Sequence, residues 1–221
     1  MKTIHVICEG QTEANFVNKV LNAHFCTLGK YLNPVIVLTK ADFKRGKQFK
    51  GGMQYFSTAE NMLKKYLPLL SKPNIFATTM FDFYALPSDA PSYEKIEKLS
   101  DAYDKISCLE TALHEKYPNP KFIPYFQLHE FEALIFSNLD KLGELYFESD
   151  ISELHDCLSK IPNPELINTG RETAPSKRIL KCIPYYDKVT LGVQVLEETD
   201  FKQIRKKCHH FDEWISKLEQ L

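Results

Sequence analysis

Thr3-Ile4-His5-Val6-Ile7-Cys8-Glu9-Gly10-Gln11-Thr12-Glu13 is the stretch that decides the fold. Thr3 to Cys8 is β-branched and apolar almost without a break, the composition of a strand buried on both faces. It runs straight into Glu9, and Glu9-Gly10-Gln11-Thr12 reads as the turn after it. From there Phe16, Val17, Val20, Leu21 and Phe25 recur at helical spacing and form one apolar face. Thr12 is suited to cap that helix. Glu13 falls in its first turn, where the helix dipole favours a negative charge.

The alternation continues outward. Pro34 to Thr39 reads as a second strand, followed by a basic, glycine-bearing loop from Lys40 to Gly52. Ser57 to Leu70 has helical periodicity, and Asn74 to Phe83 is a strongly apolar third strand. Leu86 to Pro91 is a loop. Tyr93 to Tyr117 reads as one long helical region closed by Pro118. Phe122 to Leu128 is a fourth strand and leads into His129-Glu130-Phe131-Glu132. Short helices are expected over Ser137 to Tyr146 and Ile151 to Leu158. Pro162 to Pro175 is polar and irregular, and an amphipathic helical region closes the chain from Phe201 to Leu221. Strands alternating with helices predict an α/β fold with a mainly parallel sheet of four or more strands, helices on both faces, and a helical C-terminal region. We expect one domain over 1–221, its core over about 1–140 and a helical extension over about 141–221.

Hydrophobic residues make up 43% and charged residues 26% of the 221 residues, a globular composition. The formal net charge of −1 excludes a globally basic nucleic-acid binder but not a local basic surface. No apolar run approaches the roughly 18 residues that span a bilayer, so no membrane partner is expected. The six cysteines are scattered without a Cys-x-x-Cys pair, which points to reduced thiols and a cytoplasmic protein.

Acidic residues fall at the C-terminal ends of expected strands: Glu9 after the first, Asp82 ending the third, Glu130 and Glu132 after the fourth. Open parallel sheets build their sites at that edge. Carboxylates brought together there repel unless one is protonated or a cation neutralises them. An all-oxygen donor set suits Mg²⁺ or Mn²⁺. Any one of them also reads as a helix-start or capping residue. If the 130–132 stretch is extended, its two carboxylates share a side; if helical, they diverge.

Val6-Ile7-Cys8-Glu9-Gly10-Gln11-Thr12-Glu13 resembles the strand–Glu–Gly–x–[Ser/Thr]–Glu opening of Toprim domains of overcoming-lysogenization-defect nucleases. His129-Glu130-Phe131-Glu132-Ala133-Leu134-Ile135-Phe136 and Pro175-Ser176-Lys177-Arg178-Ile179 are more specific markers. Together they resemble a bacterial domain-of-unknown-function family, number four-two-seven-six, assigned to the Toprim-like fold, from about Thr3 to about Leu218. Toprim domains use a strand-end Glu and an Asp-x-Asp to bind Mg²⁺ for phosphodiester chemistry. The resemblance therefore implies that Glu9 is the metal-linked or acid–base Glu and that Asp82 is the first Asp. Tyr84 stands where the second Asp would be. Glu130 or Glu132 would supply the missing carboxylate, and Glu13 would serve a second ion. The resemblance also implies an association with ATPases in phage defence.

Lys44, Arg45, Lys47 and Lys50 lie in one glycine-bearing loop with Phe43 and Phe49, a pattern that either tracks a phosphate backbone or is simply solvated. Lys177 and Arg178 follow Pro175; Lys177 is a candidate to steady a scissile phosphate and Arg178 to contact nucleic acid. Lys202, Arg205, Lys206 and Lys207 read as the polar face of the last helical region. His129 is either a metal ligand or general base, or a strand-end residue bonded to backbone. Cys208-His209-His210 lacks a second ligand pair with zinc spacing. The first expectation is a Mg²⁺-dependent nuclease, or a related phosphodiester-cleaving enzyme, acting on nucleic acid with Glu9, Asp82, Glu130 and Lys177 in the catalytic centre. The alternatives are a non-catalytic Toprim-like module that binds an ATPase partner, and a phosphohydrolase acting on a small nucleotide.

Overall fold

The computed structural model describes residues 1–37, 53, 55–168 and 171–221. β1 (Lys2–Cys8) lies between β2 (Lys30–Ile36) and β3 (Ile75–Asp82), and β4 (Phe122–Ile123) and β5 (Phe126–Gln127) both pair with β3. Every pairing is parallel, so the C-terminal ends of the strands gather on one edge. Between β1 and β2 run α1 (Gln11–Phe16), a π-helical turn over Val17–Leu21, and α2 (Asn22–Phe25). α3 (Phe56–Tyr66) precedes β3; α4 (Tyr93–Ile96) and α5 (Ala102–Lys116) follow it. After β5 come a 3₁₀ segment over Phe131–Asn138, then α6 (Leu139–Leu145), α7 (Ser152–Lys160) and α8 (Pro175–Cys182). A π-helical turn over Lys188–Gly192 leads into α9 (Val193–Glu197), and α10 (Phe201–Lys207) and α11 (His209–Gln220) close the chain.

Alternation along β1 decides what each face of the sheet packs against. Ile4, Val6 and Cys8 point into one apolar cluster with Phe16, Val20 and Phe25 of the β1–β2 connection and Phe211, Trp214 and Ile215 of α11. Ile7 points the other way, with Ala77 and Phe81 of β3, into a cluster with α3 and α5 through Phe56, Leu63, Ile106 and Leu109. The helices therefore cover both faces, and the C-terminal helices share a core with the first half of the chain.

Several boundaries differ from expectation, each for a local reason. The first helix begins at Gln11, with Gly10 rather than Thr12 as its cap residue; Glu13 reaches back to accept from the Gly10 N–H at 2.7 Å. The long region after Tyr93 is two helices, because the Asp101 side chain accepts from the N–H groups of Tyr103 and Asp104 and starts α5 afresh. The last region is likewise broken at Cys208. β2 starts at Lys30, earlier than Pro34, and the helical stretch after Ser57 turns 3₁₀ from Leu67, ahead of Pro68. The fourth strand is split because Pro124 has no N–H to give to the ladder. β3 repairs that gap with side chains: Thr78 Oγ1 donates to the Ile123 carbonyl at 2.6 Å, and Thr79 Oγ1 donates to the Tyr125 carbonyl and accepts its N–H, both at 2.8 Å.

α11 is anchored by a buried acid from another element. Glu165 accepts from the N–H groups of His210 and Phe211, both at 2.9 Å, and from the Tyr103 hydroxyl at 3.2 Å. Two helix-end donors are thereby satisfied by one carboxylate. Among the described residues, no helix is long and apolar enough to cross a membrane.

Candidate metal centre

Glu9 directly follows β1, Asp82 ends β3, and Glu130 stands three residues past β5, so the parallel sheet delivers all three to its C-terminal edge. The Asp82 N–H donates to Glu9 Oε2 at 3.3 Å, which ties the two strand ends together. Asp82 Oδ1 in turn accepts from the Phe131 N–H at 2.9 Å, which fixes the start of the 3₁₀ segment that carries Glu132. Glu130 accepts from the Ser176 N–H at 2.9 Å, at the start of α8. Glu13, Glu130 and Glu132 are 4%, 8% and 2% exposed, whereas Glu9 and Asp82 retain some accessible surface. The carboxylates thus form a largely buried floor at that edge.

One cation faces this group from the C-terminal half. Lys188 opens the π-helical turn, which the Asp187 side chain caps by accepting from Val189 and Thr190 N–H. Its Nζ lies 3.8 Å from Glu132 Oε1. The turn is tightly seated: a Cβ on Gly192 would come within 2.4 Å of Tyr186 Oη. That hydroxyl is buried with no hydrogen-bond partner among the described residues, and burial, with Glu132 nearby, raises its pKa.

The electrostatics follow from this crowding. Burial and then Glu13 raise the Glu9 carboxyl to about 7, against hydrogen bonds from the Asp82 and Met53 backbone. Burial raises Asp82 well above the usual carboxylate range, and Glu9, Glu13 and Glu132 push it further. Burial raises Glu132 to about 7, with Lys188 opposing and Glu130 adding to the shift. Glu13 is raised by burial and held back by Lys188. Burial alone would lower Lys188, but Glu132, Asp82, Glu13 and Glu130 outweigh it and hold the ammonium charged. Among the described residues Lys188 is the cation that opposes these carboxyls, and burial and mutual repulsion still raise them.

His129 connects β5 to Glu130 with φ +64, in the left-handed region that a non-glycine residue occupies at a cost of roughly 1–2 kcal/mol. Its carbonyl accepts the Tyr84 N–H at 2.7 Å, which ties the end of β3 to the turn after β5. The ring Nδ1 lies 3.2 Å from Asn168 Nδ2. Burial, with Lys105 nearby, lowers His129 to about 4, so the imidazole is neutral at pH 7.

The two residues of the 130–132 pair meet different partners, because Glu130 is extended and Glu132 lies in the 3₁₀ segment. Lys177 is exposed on α8, one residue past the Ser176 amide that holds Glu130. Arg178 spends its Nε on the Thr173 carbonyl at 2.8 Å. Lys44, Arg45, Lys47 and Lys50 lie outside the described residues. Cys208 is buried, and His210 lies 3.0 Å from Glu110 in the core. Sequence reasoning missed Lys188. Asp187, a capping residue type just ahead of it, was the available signal.

Among the described residues, no three Asp, Glu, His or Cys side chains aim their donor atoms at one shared metal position as they stand. Their oxygens are turned instead onto backbone amides and Lys188. The donor chemistry nonetheless fits a hard divalent ion. The set is all oxygen, and Asp82, Glu13 and Glu130 each accept a backbone N–H through one carboxylate oxygen.

A family model described as Domain of unknown function (DUF4276) matches residues 8–219. No curated protein and no solved structure matches the chain.

Proposed function

The chain belongs to the DUF4276 family, and we propose that it is a Mg²⁺-dependent phosphodiester-cleaving enzyme, a nuclease built on a Toprim-like domain. The observation that carries this reading is the group of Glu9, Glu13, Asp82, Glu130 and Glu132 at the C-terminal sheet edge, opposed by Lys188. Such a group is unfavourable as it stands, and a divalent cation relieves it.

Glu9, Asp82 and Glu132 would hold the ion. A bound Mg²⁺ or Mn²⁺ would polarise a phosphate and lower the pKa of a water. The remaining tasks fall to the chain itself. Glu13 and Glu130, held by the amides of Gly10 and Ser176, keep the two flanking turns in place and add negative charge. Glu9, raised to about 7, is matched to accept and return a proton near neutral pH. Lys188, charged and 45% exposed along its side chain, can reach a phosphate oxygen from beside Glu132. The partner in phage defence would be an ATPase that supplies the nucleotide hydrolysis.

The test is incubation of purified protein with single- and double-stranded DNA and RNA in Mg²⁺ or Mn²⁺, beside Glu9→Gln and Asp82→Asn. The reading expects metal-dependent cleavage that falls at least ~100-fold in both variants, the scale of loss for a group used in the transition state. Absence of cleavage on every substrate, or equal cleavage by the variants, would reject it.

A further inference from the structure

A cleft of about 820 Å³, lined by none of the sheet-edge carboxylates, lies where α10 and the start of α11 meet the segment around Asn163. Its wall carries Lys202, Lys206, Lys207 and His209, with Asp200 as the acid among them. Asp200 is already occupied as the cap of α10, accepting from the Lys202 N–H at 3.0 Å. Among the described residues none of the three lysines forms an ion pair, although Arg205 on the same helix is bound to Asp212 and Glu219. Elsewhere Lys116, Lys141 and Lys181 each have a carboxylate partner. In a chain of net charge −1, three unpaired ammonium groups around one concavity are a local excess that repels itself and attracts anions.

The wall is also held in place. Gln203 Nε2 donates to the Ser137 carbonyl at 2.8 Å, and Asn163 Nδ2 donates to the Tyr103 hydroxyl at 2.6 Å. The cleft is open to solvent on one side and is of the size of a small ligand. Lysines suit phosphate as point charges with free donors, and Pro162 with the lysine stems offers apolar surface to a base.

We propose that this cleft binds a nucleoside polyphosphate, with Lys202, Lys206 and Lys207 on the phosphate chain. The inference does not depend on the nuclease reading, since it uses none of the carboxylate group. The cleft and that group are joined through the 3₁₀ segment, which carries Glu132 near one end and the Ser137 carbonyl held by Gln203 near the other.

The experiment is fluorescence anisotropy of a labelled ATP analogue with the full chain in EDTA, so that no metal–nucleotide complex can engage the carboxylates. Unlabelled ATP, inorganic triphosphate and a short single-stranded oligonucleotide are the competitors. Saturable binding is expected, displaced by ATP and triphosphate and weakened by added salt. Lys202→Glu/Lys206→Glu should reduce the affinity at least ~10-fold, about 1.4 kcal/mol. Both side chains are exposed, so its melting curve should match the wild type. Asp82→Asn should keep the wild-type affinity. The proposal is overturned if the analogue does not bind, if the double reversal leaves affinity unchanged, or if the oligonucleotide binds while ATP and triphosphate fail to compete.

Discussion

Lys188 Nζ lies 3.8 Å from Glu132 Oε1, and this ion pair joins the C-terminal half of the chain to the carboxylates gathered at the end of the sheet. Glu132 is buried, whereas Lys188 reaches in from a half-exposed position. The lysine therefore acts as an internal counter-charge that still communicates with solvent. Its removal leaves buried carboxylates facing one another. Lys188→Met should destabilise the metal-free fold by about 1–3 kcal/mol, less than the ~3–5 of a fully buried pair. Urea unfolding in EDTA measures this, and Mg²⁺ should restore part of the loss. An unchanged midpoint would mean that Lys188 does not compensate the group.

Asp82→Asn should have the opposite sign. Asparagine keeps an acceptor for the Phe131 N–H and removes one repelling charge. In EDTA at pH 8 the variant should melt above the wild type, and each 1 kcal/mol gained corresponds to about 2–4 °C at this size. A variant that melts below the wild type would show that the Asp82 charge is already compensated.

The Glu132 carboxyl predicts a pH dependence of definite sign. Its folded pKa of about 7 lies above the ordinary 4.5, so the folded state holds the proton more tightly than the unfolded state between those values. Stability contributed by this group is full below about 4.5 and is lost as pH rises through about 7. Glu132→Gln, measured against the wild type in EDTA, should gain relative stability from pH 4.5 to 7 and hold it above. The gain should be on the order of 1–3 kcal/mol. A flat difference between the two proteins across that window contradicts the assignment.

Glu165 tests the scaffold apart from the chemistry. Glu165→Ala strips the partner from the amides of His210 and Phe211 and from the Tyr103 hydroxyl. Donors left unsatisfied in the core cost about 1–3 kcal/mol each, with some relief from water that enters. A loss of about 2–4 kcal/mol in chemical unfolding is expected, and a loss below ~0.5 kcal/mol would show that α11 does not depend on this cap.

The sheet edge was legible in the sequence because the information is local. Thr3 to Cys8 and Ile75 to Phe81 are largely apolar and β-branched runs followed directly by Glu9 and Asp82, and a parallel sheet must bring such ends to one side. The splits in the expected elements were less visible. Pro124 interrupts a run whose hydrophobicity never drops, and the repair by Thr78 and Thr79 exists only once β3 lies alongside. Asp101 was a readable start signal, but the charged periodicity on either side of it joined α4 and α5 into one helix. Lys188 was hidden for a different reason. Nothing in Asp187-Lys188-Val189-Thr190 has a strand or helix period. Its role comes from the distant Glu132 across the folded chain. The cleft beside α10 was read as a solvated helix face because a helical projection does not show concavity.

If the sheet-edge carboxylates hold a divalent cation, they bind Mn²⁺ in solution. Titration of the protein with Mn²⁺, followed by the electron paramagnetic resonance signal of the free ion, measures this directly. The wild type should bind saturably, and binding should weaken at least ~10-fold in Asp82→Asn and in Glu132→Gln, a loss of about 1.4 kcal/mol. Wild-type protein that takes up no Mn²⁺ at millimolar concentration, or variants that bind as well as the wild type, would contradict it.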